Sequence, residues 1–188
     1  MPIPSVPHGN YQEFRDAVIG HGYDIDDQYG FQCWDGVDLL YQQSDVGQIL
    51  ATDRYFDPNA RGYAKTCWTD TQARALNGSG HFGIITSVQE IKRGDILVFD
   101  TFTGYYGITG HIAFADEDWH GGLTINLLGQ NQGIGSNPDT GKPFNIWEGY
   151  LGQAFLGGFR YDAWTHTNPE ETKKRHFPFP IAWESWGY

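Results

Sequence analysis

A thiol, an imidazole and a carboxamide follow one another along this chain at Cys33, His111 and Asn131. Cysteine attacks as its thiolate, so a catalytic thiol needs a base within hydrogen-bond reach and a third group to orient that base. After Cys33 come Trp34-Asp35-Gly36-Val37-Asp38-Leu39-Leu40-Tyr41, where Val37, Leu40 and Tyr41 recur at helical spacing. The thiol is thus expected at a helix N-terminus, whose dipole favours the thiolate. Seven histidines compete for the role of base. His111 stands apart because it opens the apolar run His111-Ile112-Ala113-Phe114-Ala115 directly after a glycine-rich loop, which fixes its side chain beside a cleft. Asn131 lies in Gly129-Gln130-Asn131-Gln132-Gly133, just past a third apolar run, within reach of an imidazole on a neighbouring strand. His21 and His81 sit beside glycines and receive no role, and His120 follows an acidic hairpin tip.

The twelve residues from Asp24 to Asp35 carry a second kind of chemistry. Asp24, Asp26 and Asp35 occupy the first, third and twelfth positions, with oxygens of Gln28 and Gly30 at the fifth and seventh. That is close to the spacing by which a calcium loop points alternate oxygens at one hard cation. Glycine falls one place late and the last ligand is Asp rather than Glu, so the stretch reads as a candidate calcium loop but not an EF-hand. It leads straight into the Cys33 helix. Gly135 to Lys142 superficially resembles a phosphate loop, but five residues separate its glycines and Pro143 stands where a magnesium-binding hydroxyl belongs.

Positioning these groups falls to a few elements. Asn10-Tyr11-Gln12-Glu13 reads as a capping box for a helix that turns Tyr11, Phe14 and Val18 inward and stops at Gly20 and Gly22. The Cys33 helix ends near Gln43 or Ser44, and residues 47–65 read mostly as loop. Thr69 to Gln72 suggests a cap for a short helix ending at Asn77-Gly78. Strands are expected at 95–99, 111–115, 123–128 and 154–161. Helices first and antiparallel strands after is the α+β order. Residues 1–162 form the expected domain. Residues 163–188, with Trp164, Trp183 and Trp186, form an aromatic tail or the start of a linker.

A net charge of −11 argues against nucleic acid or an anionic membrane as partner. Two cysteines make no disulfide framework. The first seven residues lack the basic start and apolar core of a signal peptide, and no run reaches membrane-spanning length.

Taken in order, Asp24-x-Asp26, Gly30-x-Gln32-Cys33-Trp34-Asp35, Lys92-Arg93-Gly94-Asp95-Ile96, Gly110-His111-Ile112-Ala113 and Gln130-Asn131 resemble the CHAP domains, the cysteine- and histidine-dependent amidohydrolases and peptidases common in phage endolysins. The resemblance runs from about residue 10 to 161. It implies a papain-like α+β fold related to NlpC/P60 proteins, with helices packed on an antiparallel sheet. It implies Cys33 as nucleophile, His111 as base and Asn131 in the third role, with Gln32 as a further oxyanion donor beside the Cys33 amide. Calcium on Asp24, Asp26, Asp35 and the carbonyls of Gln28 and Gly30 is implied as well. Many members carry Glu two residues before the asparagine. This chain has Gly129 there, which leaves Asn131 to orient the histidine in a Cys-His-Asn triad. The function implied is a peptidoglycan hydrolase, either an amidase or an endopeptidase, acting on a Gram-positive wall after release from the host cytoplasm or from a virion. Targeting would come from this domain, its tail, a wall-binding subunit or a virion partner. A virion structural or entry protein and a non-catalytic, calcium-dependent wall-binding module are the rival readings.

Overall fold

The computed structural model describes residues 4–44, 47–51 and 63–164. Two helices, α1 (Tyr11–Val18) and α2 (Cys33–Gln43), precede two short ones, α3 (Thr66–Thr69) and α4 (Thr71–Asn77). Six strands follow: β1 (Phe82–Ile85), β2 (Ile96–Phe99), β3 (His111–Ala115), β4 (Thr124–Gly129), β5 (Asn145–Tyr150) and β6 (Phe155–Tyr161). They form one antiparallel sheet in the order β1-β6-β2-β3-β4-β5. The fold is α+β, with few helices and a six-stranded sheet.

The helices begin where capping chemistry says they should. Asn10 accepts the Glu13 amide at 3.0 Å with its side chain, and the Asp70 side chain accepts the amides of Gln72 and Ala73. Tyr11, Phe14 and Val18 are buried on the inner face of α1. β2 and β3 are buried along their whole length because the sheet is covered on both sides. On the helical side Phe14, Val37, Leu40 and Tyr41 pack with Ile96, Val98, Ile112 and Phe114. On the other, Leu97, Phe99, Ala113 and Ala115 pack with Tyr106, Ile125 and Leu127. The alternation puts His111 opposite Phe99 in register, at the head of β3.

Sequence reading missed β1 and β5, which are the two edges of the sheet. β1 has four residues, and β5 is half-exposed over most of its length, so neither shows a strong apolar alternation. Trp164, assigned above to the tail, is buried against Tyr11, Phe14 and Phe114, and its indole N–H donates to the His8 carbonyl at 2.8 Å. Residues 52–62, inside the stretch read as loop, and the rest of the tail with Trp183 and Trp186 lie outside the described residues. Among the described residues, no helix is long and apolar enough to cross a membrane.

Candidate active site

The loop before α2 is wound tightly by three left-handed residues, Asp27 (φ 57°), Tyr29 (φ 63°) and Gly30 (φ 66°). Gly30 also lets the chain pass close to Thr140, since a Cβ there would lie 2.2 Å from its carbonyl oxygen. Carboxylates hold the remaining turns. Asp24 and Asp26 both accept the Gln28 amide, at 3.0 and 2.9 Å. Asp35 reaches back from the first turn of α2 to the amides of Ile25 (3.0 Å) and Gln32 (3.1 Å), so the helix start and the loop are one unit. Gln130, buried at the end of β4, ties this unit to the sheet: its side chain accepts the Tyr23 amide and donates to the carbonyls of Tyr23 and Gln32.

Oxygens of Asp24, Asp26 and Asp35 all lie within 4.8 Å of one another. Burial, then the neighbouring charges of Asp26 and Asp24, push the Asp35 carboxyl up to about 7, while the Ile25 and Gln32 amides pull the other way. Three acidic groups packed this closely suit a hard divalent cation, which would relieve the repulsion. The Gly30 carbonyl accepts the Gln32 amide at 2.8 Å, which leaves its second lone pair for a cation.

Cys33 heads α2, half-buried and free of any disulfide. Its thiol takes the backbone N–H of Ile112, the residue after His111, which brings nucleophile and base to the same end of β3. The thiolate expected from the helix end is opposed by burial. Burial pushes the thiol up to about 11 and Asp35 adds to the rise, outweighing the Ile112, Trp34 and Cys33 amides that favour the anion. The helix end contributes those amides, but desolvation is the larger effect. Iodoacetamide at pH 8 should therefore label Cys33 more slowly than free cysteine, whose pKa is about 8.5. Labelling as fast as an activated thiolate would show that the charged form dominates after all.

His111 is buried beneath Tyr106, whose ring stacks on the imidazole with centroids 5.5 Å apart. Its Nε2 lies 3.0 Å from the Gln132 side-chain oxygen. Burial pushes the imidazole down to about 4, and the Gln132 bond offsets this in part. The folded protein thus holds a neutral imidazole where the unfolded chain would begin to protonate near pH 6.5. As pH falls from about 6.5 towards 4 the unfolded state takes up a proton that the folded state does not, and stability declines, by up to about 3 kcal/mol. Urea unfolding at pH 7 and pH 5 should show the wild type losing more stability than His111→Gln; equal losses would remove this imidazole from the cause.

Asn131 does not take the third role in this structure. Its side-chain amide donates to the Gln32 oxygen at 2.7 Å and its own oxygen accepts the Asn137 amide at 2.7 Å, so it braces the loop beside the cleft. The group on the imidazole is its neighbour Gln132, which sequence reading passed over. Asn131 adopts φ 49°, and that left-handed turn sets which side chain points into the sheet. Gln32 is also diverted from its expected role: its side-chain N–H groups go to the carbonyls of Tyr29 and, at 3.5 Å, Pro138. The backbone amides of Trp34 and Cys33, at the start of α2, remain beside the thiol.

Cys33 and His111 line a cleft of about 710 Å³ together with Gln32, Trp34, Tyr105 and Trp147. The arrangement can transfer an acyl group: a thiol, a neutral base and a helix N-terminus face one cavity large enough for a peptide segment.

No protein-family model matches the chain. The D-alanyl-L-alanine endopeptidase of Streptococcus phage B30 is 34% identical over 123 residues, covering 65% of this chain and 25% of that protein. The chain thus spans about a quarter of the length of that relative. The crystal structure of the wild-type endolysin LysIME-EF1 superposes with a TM-score of 0.56 at 23% identity, covering 86% of this chain and 67% of that one. At that identity the likeness is one of fold, and it places this α+β domain beside a solved endolysin.

Proposed function

We propose that this protein is a peptidoglycan hydrolase of the phage endolysin type, which cuts an amide bond in the wall peptide through Cys33 and His111. The observation that carries the reading is the meeting of the Cys33 thiol with the head of β3, one residue from a buried, neutral imidazole, at the floor of an open cleft. As the scissile carbonyl enters, His111 takes the thiol proton and Sγ attacks the carbonyl carbon. The Cys33 amide and the positive end of α2 stabilise the tetrahedral oxyanion. His111 returns the proton to the leaving amine, the C–N bond breaks and a thioester remains on Cys33. Water, deprotonated by His111, then releases the acid and restores the thiol. The activity named for the phage B30 relative favours a bond within or between wall peptides over the muramoyl–L-alanine amide.

Calcium belongs to the same proposal. Asp24, Asp26 and Asp35, with the carbonyls of Gln28 and Gly30, would hold it. Bound there it supplies charge compensation and a rigid loop. The protein's own contribution is the Asp35 carboxylate, which joins loop and helix and so sets where Sγ stands. The partner is the bacterial wall, Gram-positive in this reading, reached after release from the host or from a virion.

Purified, dye-labelled Gram-positive peptidoglycan tests the proposal. Calcium-loaded protein should release soluble dye and a chelator should suppress the release. No release from several wall types by folded, calcium-loaded protein would turn the reading to a wall-binding module.

A further inference from the structure

The side chain that orients His111 is an amide, and its own hydrogen bonds fix which way it points. Gln132 is buried, and its side-chain nitrogen donates to the carbonyls of Leu127 (2.9 Å) and Asn145 (2.8 Å). Both N–H bonds are thereby used on groups that can only accept. The atom left facing the imidazole is Oε1, 3.0 Å from Nε2. An acceptor at that distance requires a proton on Nε2, and a neutral ring protonated there carries its lone pair on Nδ1.

Gly129 makes the space for this. A Cβ at 129 would lie 2.9 Å from the Gln132 oxygen and 2.9 Å from the Ala113 Cβ, so position 129 cannot supply a side chain to the imidazole while Gln132 stands where it does. Among the described residues, the rings of Phe99 and Tyr106 also stack on His111. Tyr106 is committed, its hydroxyl donating to the Tyr150 carbonyl at 3.0 Å. From α2 comes the Cys33 thiol, which shares the cleft with the imidazole. Among the described residues, the influences felt by His111 are burial and the Gln132 bond, with no carboxylate or cation among them.

We propose that Gln132 is the positioning residue of this site, holding His111 as its Nε2–H tautomer so that Nδ1 takes the Cys33 proton, with a neutral amide in the place where a carboxylate would favour the charged imidazolium. The inference rests on the reading of Cys33 and His111 as the reacting pair. Its consequence is a base that stays neutral, and able to accept a proton, well below neutral pH.

Nitrogen-15 NMR of histidine-labelled wild-type protein at pH 7 reads the tautomer without any substitution. Protonation of Nε2 is expected, and a proton on Nδ1 would overturn the proposal. Kinetics on a soluble wall-peptide fragment add a second arm. Gln132→Leu should lower kcat by tenfold or more with little change in KM, whereas an unchanged kcat would contradict the positioning role. Gln132→Glu should move the acid limb of the kcat/KM profile up by at least one pH unit, and an unmoved limb would sink the electrostatic half. Should Gln132→Leu fail to fold, the wild-type spectrum still decides. An active Cys33→Ala protein would instead refute the reading of the site, whatever the tautomer.

Discussion

Alanine at position 33 is expected to abolish wall hydrolysis while leaving the fold intact. Removing the nucleophile of a covalent mechanism costs about four to six orders of magnitude in kcat, because the residual catalysis comes only from binding and oxyanion stabilisation. The thiol is half-buried at the edge of the core and meets the amides of Ile112, Trp34 and its own residue, so the loss in stability should stay at about 1–2 kcal/mol. Dye release at assay background, with a melting temperature within a few degrees of wild type, is the predicted pair of results. Burial also raises the Cys33 thiol and so slows its alkylation. Slow alkylation at neutral pH is what this site should show even when active, because the proton leaves only as attack begins. Inertness towards alkylating agents therefore does not favour a non-catalytic module.

The second large effect is expected from the loop. With calcium at a hundred times its dissociation constant, the folded state gains about 2.7 kcal/mol, roughly 5–10 °C in melting temperature for a domain of this size. Asp35→Asn removes the charge but keeps one oxygen for only one of the Ile25 and Gln32 amides, which bond different carboxylate oxygens in the wild type. In chelator relief of the repulsion from Asp26 and Asp24 offsets the lost amide bond, so this variant should melt within a few degrees of wild type. In calcium it should melt well below wild type, having lost the response. Activity should follow, through the position of Cys33. Parallel melting curves in both conditions would take the metal out of the account.

Much of this was legible in the sequence because it is written in local patterns. The Asn10 cap, the helical spacing after Cys33 and the apolar runs of β2, β3 and β4 each arise from neighbours in the chain, and each element stands where the pattern puts it. So does the gathering of Asp24, Asp26 and Asp35, since a twelve-residue loop has few ways to fold around its alternate positions. What stayed hidden depends on direction. Asn131 and Gln132 are adjacent amides, and only the left-handed turn at 131 sends the first to Gln32 and the second to His111. The titration of Cys33 was misjudged for a related reason: the helix dipole is visible in sequence, whereas the burial that outweighs it is a property of packing. β1 and β5 were missed because edge strands need less apolar surface.

Mass analysis of purified Gram-positive peptidoglycan, digested in calcium by wild type and by Cys33→Ala in parallel, tests the central claim most directly. The account predicts new peptide amino termini with the wild type and none above background with the variant, their identity naming the bond cut. The same new termini from both proteins would contradict it, since the hydrolysis would then proceed without the Cys33 thiol.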